Sequence, residues 1–185
     1  MQTLFSPRLI LRQWQQVDRG AFAAICADPQ AMEFLLPLPT VDDSNGWIDR
    51  QIAHQSTHGF CFWALEDKTT GDFIGTAGLV RIGYDAHFTP AVEIGWRIAR
   101  KFWGKGYAPE AARAALAFGF RQLKLDEIVA TTVAANVKSR RIMAKLGMTH
   151  DAADDFDYPR VPDGHPLKSV MLYRLSREQW MKDQR

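Results

Sequence analysis

The stretch Lys101 to Phe120, KFWGKGYAPEAARAALAFGF, sets two glycines two residues apart, then a proline, a glutamate and a run of alanines broken by aromatics. It follows directly on AVEIGWRIA, Ala91 to Ala99, which reads as a strand by its branched and aromatic content. Strand, glycine turn, helix is a narrow choice for a chain. It leaves the unpaired N–H groups of the first helical turn pointing outward at a strand end, where the helix dipole and direct hydrogen bonds stabilise an anion. Glycine suits the turn because a side chain would hold a phosphate off the backbone and because such turns often need positive φ. Gly104 and Gly106 fit that role. The spacing is not G-x-x-x-x-G-K-[ST], and it lacks the third glycine of G-x-G-x-x-G, so neither a P-loop nor a dinucleotide fold is supported. A tight turn with no ligand is the reading that two glycines alone would allow.

Around this segment the pattern alternates strands and helices. RLILRQW, Arg8 to Trp14, reads as a strand, and DRGAFAAICAD as a helix that Asp18 can cap. PTVDDSNGWIDRQIAHQS is a second helix. FCFWALED and DFIGTAGLVRI form an antiparallel hairpin over the turn KTTG. From Pro109 to about Leu123 the pattern is helical, with Ala112, Leu116 and Phe120 four apart and Ala108, Ala115 and Gly119 small enough for close packing. EIVATTVA is a strand, NVKSRRIMAKLG a helix capped by Asn136 and ended by Gly147, and KSVMLYRLS a closing strand. DAADDFDYPRVPDGHP, rich in aspartate, proline and glycine, is the least predictable part.

At 185 residues the chain fits one domain, residues 1–185, large enough to bury a core without disulfides or metal staples. A net charge of +2 gives no footprint for nucleic acid or an anionic membrane, and no stretch approaches the ~20 apolar residues that cross a bilayer. The only two cysteines, Cys26 and Cys61, read as small buried apolar residues. With no leader-like start, these features point to the cytoplasm. An oligomeric state is not legible.

The words EIGWRIARKFWGKGYAPEA resemble the acetyl-coenzyme A motif of the GNAT superfamily of N-acetyltransferases, in its RimJ/RimL-like branch. The family pattern is Gln or Arg, two residues, Gly, one residue, then Gly or Ala. It falls here on Trp103, Gly106 and Ala108, with Gly104 and Lys105 between the first two and Tyr107 between the last two. Trp103 departs from the Gln/Arg preference, which removes a side-chain contact but leaves the backbone cradle. NVKSRRIMAKLGM is similar to the family's Asn-x-x-Ser helix ending in Lys-Leu-Gly. The resemblance implies an α/β (α+β) fold: a mixed, mostly antiparallel sheet flanked by helices, with the coenzyme entering between two strands that part.

It also implies transfer of acetyl from acetyl-coenzyme A, as co-substrate and without a metal, to a primary amine by direct attack. The amine must be neutral, the thioester oxygen needs a donor, and the leaving thiolate needs a proton. A protein N-terminal α-amine has a pKa about 2.5 units below that of lysine, a difference of roughly 3.5 kcal/mol in deprotonation, so a weak base suffices for it. Glu93 is the candidate base, set against a glutamate on a solvated sheet face or paired with Arg97. Trp96 or Ile98 would sit near the pantetheine arm, with main-chain groups doing the bonding. Asn136 would hold the pantetheine or a water beside it, and Ser139 would protonate the thiolate, while a plain N-cap and first-turn serine would look the same. The tyrosine that serves as acid in many members is replaced here by Met143. Arg141, in the basic run Lys138, Arg140, Arg141, is offered to the adenosine phosphate, against a solvated helix face.

The favoured acceptor is a protein N-terminus. The alternatives are a small amine, such as a polyamine, an amino acid derivative or an aminoglycoside, or a binding module that has lost turnover. His54 and His58 stand four apart on a helix but lack a third metal ligand, and are read as a surface pair. The aspartates of DAADDFD are read as solvating a loop. Trp47, Trp63 and Trp180 are read as packing, and Phe34 to Leu38 as lining the acceptor mouth by family analogy.

Overall fold

A computed structural model describes residues 2–183. In chain order the elements are β1 (Leu4–Phe5), β2 (Leu9–Arg12), α1 (Asp18–Cys26), α2 (Pro29–Met32), α3 (Val41–His58), β3 (Phe62–Asp67), β4 (Phe73–Arg81) and β5 (Val92–Ile98). There follow α4 (Tyr107–Arg121), β6 (Glu127–Thr132), α5 (Val137–Lys145), β7 (Thr149–His150), β8 (Phe156–Asp157), β9 (Ser169–Ser176) and α6 (Arg177–Lys182). They form an α/β fold with a mixed, mostly antiparallel sheet and helices beside it, as expected. The chain gathers into two compact units, Met1–Val80 with Gly95–Ala115, and Arg81–Ile94 with Leu116–Arg185.

In the first unit β1, β2, β3 and β4 pair antiparallel in that order, with Leu11 opposite Leu4 and Leu65, and Trp63 opposite Ala77. The alternation of LILR puts Leu9 and Leu11 fully inside. Trp14, Phe22, Cys26, Ile48 and Ala64 form a core cluster, and half-buried Trp47 and Phe73 pack on it. The rings of Trp14 and Phe22 meet edge to face at 5.1 Å, and Phe22 and Trp47 stack at 4.8 Å. Leu38 packs there too. α3 starts on a reciprocal cap between Thr40 and Asp43. Asp18, expected as the cap of α1, is not one: the cap position is Val17 and makes no side-chain bond. The Asp18 carboxylate instead takes both forks of Arg12, at 2.7 and 2.9 Å, and the N–H of Gln15. It is buried, and a buried carboxylate without such a partner would be costly.

In the second unit β6 and β9 pair antiparallel over their whole length, from Glu127 opposite Ser176 to Thr132 opposite Met171. β7 and β8 both pair with β9. β5 runs parallel to β6, with Glu93 opposite Val129 as the single register pair of that ladder. Parallel neighbours need a long crossover, which α4 supplies. α4 starts two residues before the expected Pro109 and turns Ala112, Leu116 and Phe120 inward, all buried. Phe120 meets Trp180 of α6 at 5.4 Å. Asn136 caps α5 by accepting the N–H of Ser139 at 3.2 Å. The loop read as solvated is partly tied down: Asp154 pairs with Arg174 at 2.7 Å and Asp155 with His150 at 2.8 Å.

Candidate active site

The cradle lies in the first unit. A single 3-10 turn, Arg100–Phe102, leads out of β5, and Trp103 folds back so that its indole N–H donates to the carbonyl of Ile98 at 2.8 Å. The indole therefore ties the turn to the strand end. Gly104 and Gly106 follow with φ of +75° and +80°, a conformation that disfavours any L side chain. Both are exposed, and a Cβ on Gly104 would meet nothing within 4 Å, so the space above this backbone is open. α4 begins at Tyr107, and its first amides, including those of Tyr107 and Ala108, have no partner within the helix. Lys101 and Lys105 both lie over the Phe102 ring, at 4.7 and 5.4 Å, which sets two cations beside the turn.

Three residues that the sequence reading missed fix the start of α4. Glu110 accepts from the Ser6 hydroxyl at 2.7 Å, from the Arg8 backbone N–H at 2.7 Å and from Arg8 Nε at 2.7 Å. Burial pushes the Glu110 carboxyl up, but these bonds outweigh it and hold the group below its ordinary range. Arg8 also donates to the carbonyl of Lys105 at 2.9 Å and lies 4.5 Å over the Tyr107 ring. Its Nη2 is 3.5 Å from where a Cβ on Gly106 would stand, so a guanidinium borders the open backbone. Tyr107 donates its hydroxyl to Asp67 at 2.8 Å. No spacing rule joins Arg8 to Glu110, and only the fold reveals them.

Glu93 belongs to the second unit. It is half-buried and accepts a short hydrogen bond from the Thr131 hydroxyl on β6. Desolvation raises its carboxyl above the ordinary glutamate range, while the Thr131 bonds and the charge of Arg160 oppose the rise. The alternatives of a solvated glutamate or a pair with Arg97 do not describe it: its partner is Thr131, and Arg97 bonds Cys26. Burial also raises the hydroxyls of Tyr84 and Tyr158, and the Glu93 charge pushes both further in the same direction. The two rings meet edge to face at 5.2 Å, and Arg160 lies 5.5 Å over Tyr84 and donates to the carbonyl of Gly83 at 2.9 Å. Glu93 thus sits in a neighbourhood of two tyrosines and an arginine. The signal was the word YPR in the loop set aside as least predictable.

Of the other expected residues, Trp96 is half-buried and Ile98 buried, on β5. On α5 Asn136 is spent on its cap, Ser139 is half-buried with its hydroxyl outside that cap, Arg141 is exposed and Met143 is buried. Cys26 and Cys61 are buried free thiols. His54 and His58 lie 4.5 Å apart, with His54 Nδ1 bonded to the Phe60 carbonyl, and among the described residues no three His, Cys, Asp or Glu side chains group as a metal site. Among the same residues no helix is long and apolar enough to cross a membrane.

The open, glycine-lined helix start with its border of cations suits a diphosphate. The family model described as an acetyltransferase (GNAT) domain matches residues 8–149. The chain belongs to the GNAT acetyltransferases. It is 32% identical over 146 residues to the protein YkkB of Bacillus subtilis, covering 78% of this chain and 84% of that one. It is 29% identical over 190 residues to the FsC-acetyl coenzyme A-N(2)-transacetylase of Aspergillus fumigatus, covering 99% and 80%. Among solved structures, a GNAT-family acetyltransferase from Bacillus anthracis superposes with a TM-score of 0.77 at 25% identity, over 96% of this chain and 99% of that one. As a GNAT enzyme the protein is an N-acetyltransferase dependent on acetyl-coenzyme A.

Proposed function

We propose that this acetyltransferase, read as one domain over residues 1–185, acts in the cytoplasm as a RimJ/RimL-like enzyme whose acceptor is a protein N-terminal α-amine. Met1, Gln184 and Arg185 of that span lie outside the described residues. The backbone of Gly104 to Ala108 holds the coenzyme's diphosphate, with Lys105 beside it and Trp103 bracing the turn. Trp96 and Ile98 border the pantetheine arm, Asn136 stands near it, and Arg141 takes the adenosine phosphate. The β5 to β6 ladder, one pair long at Glu93 and Val129, supports a strand whose amides are open to the thioester oxygen.

The observation that carries the acceptor is the state of Glu93. A carboxyl raised by desolvation is a better proton acceptor than an ordinary glutamate. It is matched to an amine already partly neutral near pH 7.7–8.0, the range of α-amines. As the N–C bond forms, Glu93 takes the proton the amine sheds, directly or through a water. As the C–S bond breaks, the Ser139 hydroxyl gives its proton to the sulfur and recovers one from water. Met143, buried and without a proton to give, leaves that task to Ser139.

The Aspergillus relative, named for N(2) transacetylation of FsC and aligned over nearly the whole chain, favours a second reading in which the acceptor is a small amine. Thiol release from acetyl-coenzyme A separates the two. With a panel of N-terminal peptides, lysine-only peptides blocked at the terminus, and small amines, peptide-dependent release is expected. Release with small amines alone overturns the N-terminal acceptor.

A further inference from the structure

The Thr131 hydroxyl donates to Oε1 of Glu93, from β6 to β5 and within the second unit. Strand geometry brings the two together. Glu93 is in register with Val129, and the alternation of a strand puts Thr131, two residues further along β6, on the same face as Val129. The donor is the more firmly held partner. β6 is laddered to β9 through six register pairs, with Thr131 opposite the fully buried Leu172, whereas β5 meets β6 at one. Thr131 is also β-branched and therefore restricted at χ1, while a glutamate has three torsions to set. Both side chains are half-buried, so the carboxylate is held from one side and remains open to solvent.

We propose that Thr131 is the positioning residue of the reaction: its hydroxyl holds Oε1 of Glu93 so that Oε2 faces the acceptor and takes the proton the amine sheds. The inference rests on Glu93 as the base. The proton leaves the nitrogen, forms an O–H bond at Oε2 and passes on to water, and Thr131 keeps its own proton throughout. The same bond keeps the base ready. Burial alone favours the protonated carboxyl, which has nothing to accept with, and a donor to the ionised form opposes this. Desolvation raises Glu93, and against it stand the Thr131 hydroxyl, then the Thr131 main-chain N–H, then the charge of Arg160. The remaining groups that face Glu93 come from two loops. Tyr84 follows β4, and Tyr158 lies with Arg160 between β8 and β9. Burial raises both tyrosine hydroxyls, so they stay neutral where the base works, and Arg160 adds a positive charge.

Thr131→Val keeps the branched shape and the main-chain N–H and removes the hydroxyl; Thr131→Ser keeps the hydroxyl. At pH 7 and saturating substrates Thr131→Val should lower kcat about 10- to 100-fold, the span of one hydrogen bond to a charged group. The KM for acetyl-coenzyme A should stay within about twofold. The acidic limb of the kcat profile should move to higher pH, so that the ratio of wild type to variant narrows as pH rises. A merely structural loss would persist at every pH. Thr131→Ser should restore the limb and most of kcat. A second measurement needs no turnover: the Glu93 carboxyl is followed by carbon-13 NMR, its resonance assigned by its loss in Glu93→Gln. Its titration should move up in Thr131→Val and return in Thr131→Ser. If Glu93→Gln removes the acidic limb but Thr131→Val leaves limb and titration where they were, the inference is overturned and the base stands. If Glu93→Gln keeps the limb, the base reading fails, and the part of Thr131 in the reaction falls with it.

Discussion

Gly106→Glu tests the cradle most directly. At φ +80° a side chain costs about 1–2 kcal/mol of backbone strain, partly offset by about 0.4–1 kcal/mol through the less flexible unfolded chain. The nearest atom to a Cβ there is Arg8 Nη2 at 3.5 Å, an ordinary contact, so no clash is added. For a domain of 185 residues 1 kcal/mol moves Tm by roughly 2–4 °C, and the coenzyme-free variant should melt only a few degrees low. Coenzyme A at a hundredfold excess over Kd stabilises the wild type by about 2.7 kcal/mol, a rise of roughly 5–10 °C. In Gly106→Glu a carboxylate stands where the diphosphate must approach, and that rise should vanish. Gly59→Ala is the control, at the end of α3 and outside the seat, with nearly the same φ of +81°, open space around its Cβ and no added charge. It should lose the same few degrees and keep most of the coenzyme response. Differential scanning calorimetry with and without coenzyme reads both quantities. A Gly106→Glu protein that keeps the full coenzyme-induced rise refutes the main-chain seat.

Glu93→Gln should lower kcat by about 10²-fold or more with coenzyme binding retained. At saturating acceptor, the acidic limb of the wild-type kcat profile should lie above the ordinary glutamate range and be missing from the variant. Because the folded carboxyl is raised, its contribution to stability is present below the unfolded value and is lost as pH rises through the folded one, so Glu93→Gln should flatten that fall in urea titrations. Glu110 has the opposite sign. Its depressed carboxyl contributes stability above the unfolded value that is lost as pH falls through the folded one, so Glu110→Gln should cost about 1–2 kcal/mol at pH 7 and little at acid pH. Ser139→Ala should slow kcat by about tenfold while leaving stability within about 0.5 kcal/mol, since the helix cap uses the Ser139 N–H and not its hydroxyl. Unchanged turnover removes Ser139 from the reaction.

What could be read in advance was local. The spacing of Ala112, Leu116 and Phe120 declares α4, Asn136 and Gly147 bracket α5, and KTTG marks the hairpin, because each signal lies within one element or its ends. Among the elements that went unread, β1, β7 and β8 are two residues long and exist only by pairing with a neighbour, so no period could announce them, and the helices α2 and α6, four and six residues long, are too short to show one. Side-chain partnerships were misjudged for the same reason. Asp18 had the right chemistry for a cap, but the bidentate Arg12 is a stronger partner and took it. The pairing of Glu93 with Arg97, weighed only as an alternative to a base, does not form, and each finds its bond on a different element, Thr131 of β6 and Cys26 of α1. The glycine turn was legible, and both its glycines take positive φ, whereas Arg8 and Glu110, which brace it, are joined only by the folded chain.

That brace spans 102 to 104 positions of chain, from Ser6 and Arg8 to Glu110. During synthesis the first turn of α4 therefore cannot be locked until residue 110 has cleared the ribosome and found a segment made some hundred residues earlier. On the proposed seat, affinity for coenzyme becomes a report on whether that early segment has been threaded into place, and coenzyme would then act on the newborn chain as a selective fastener for correctly assembled copies.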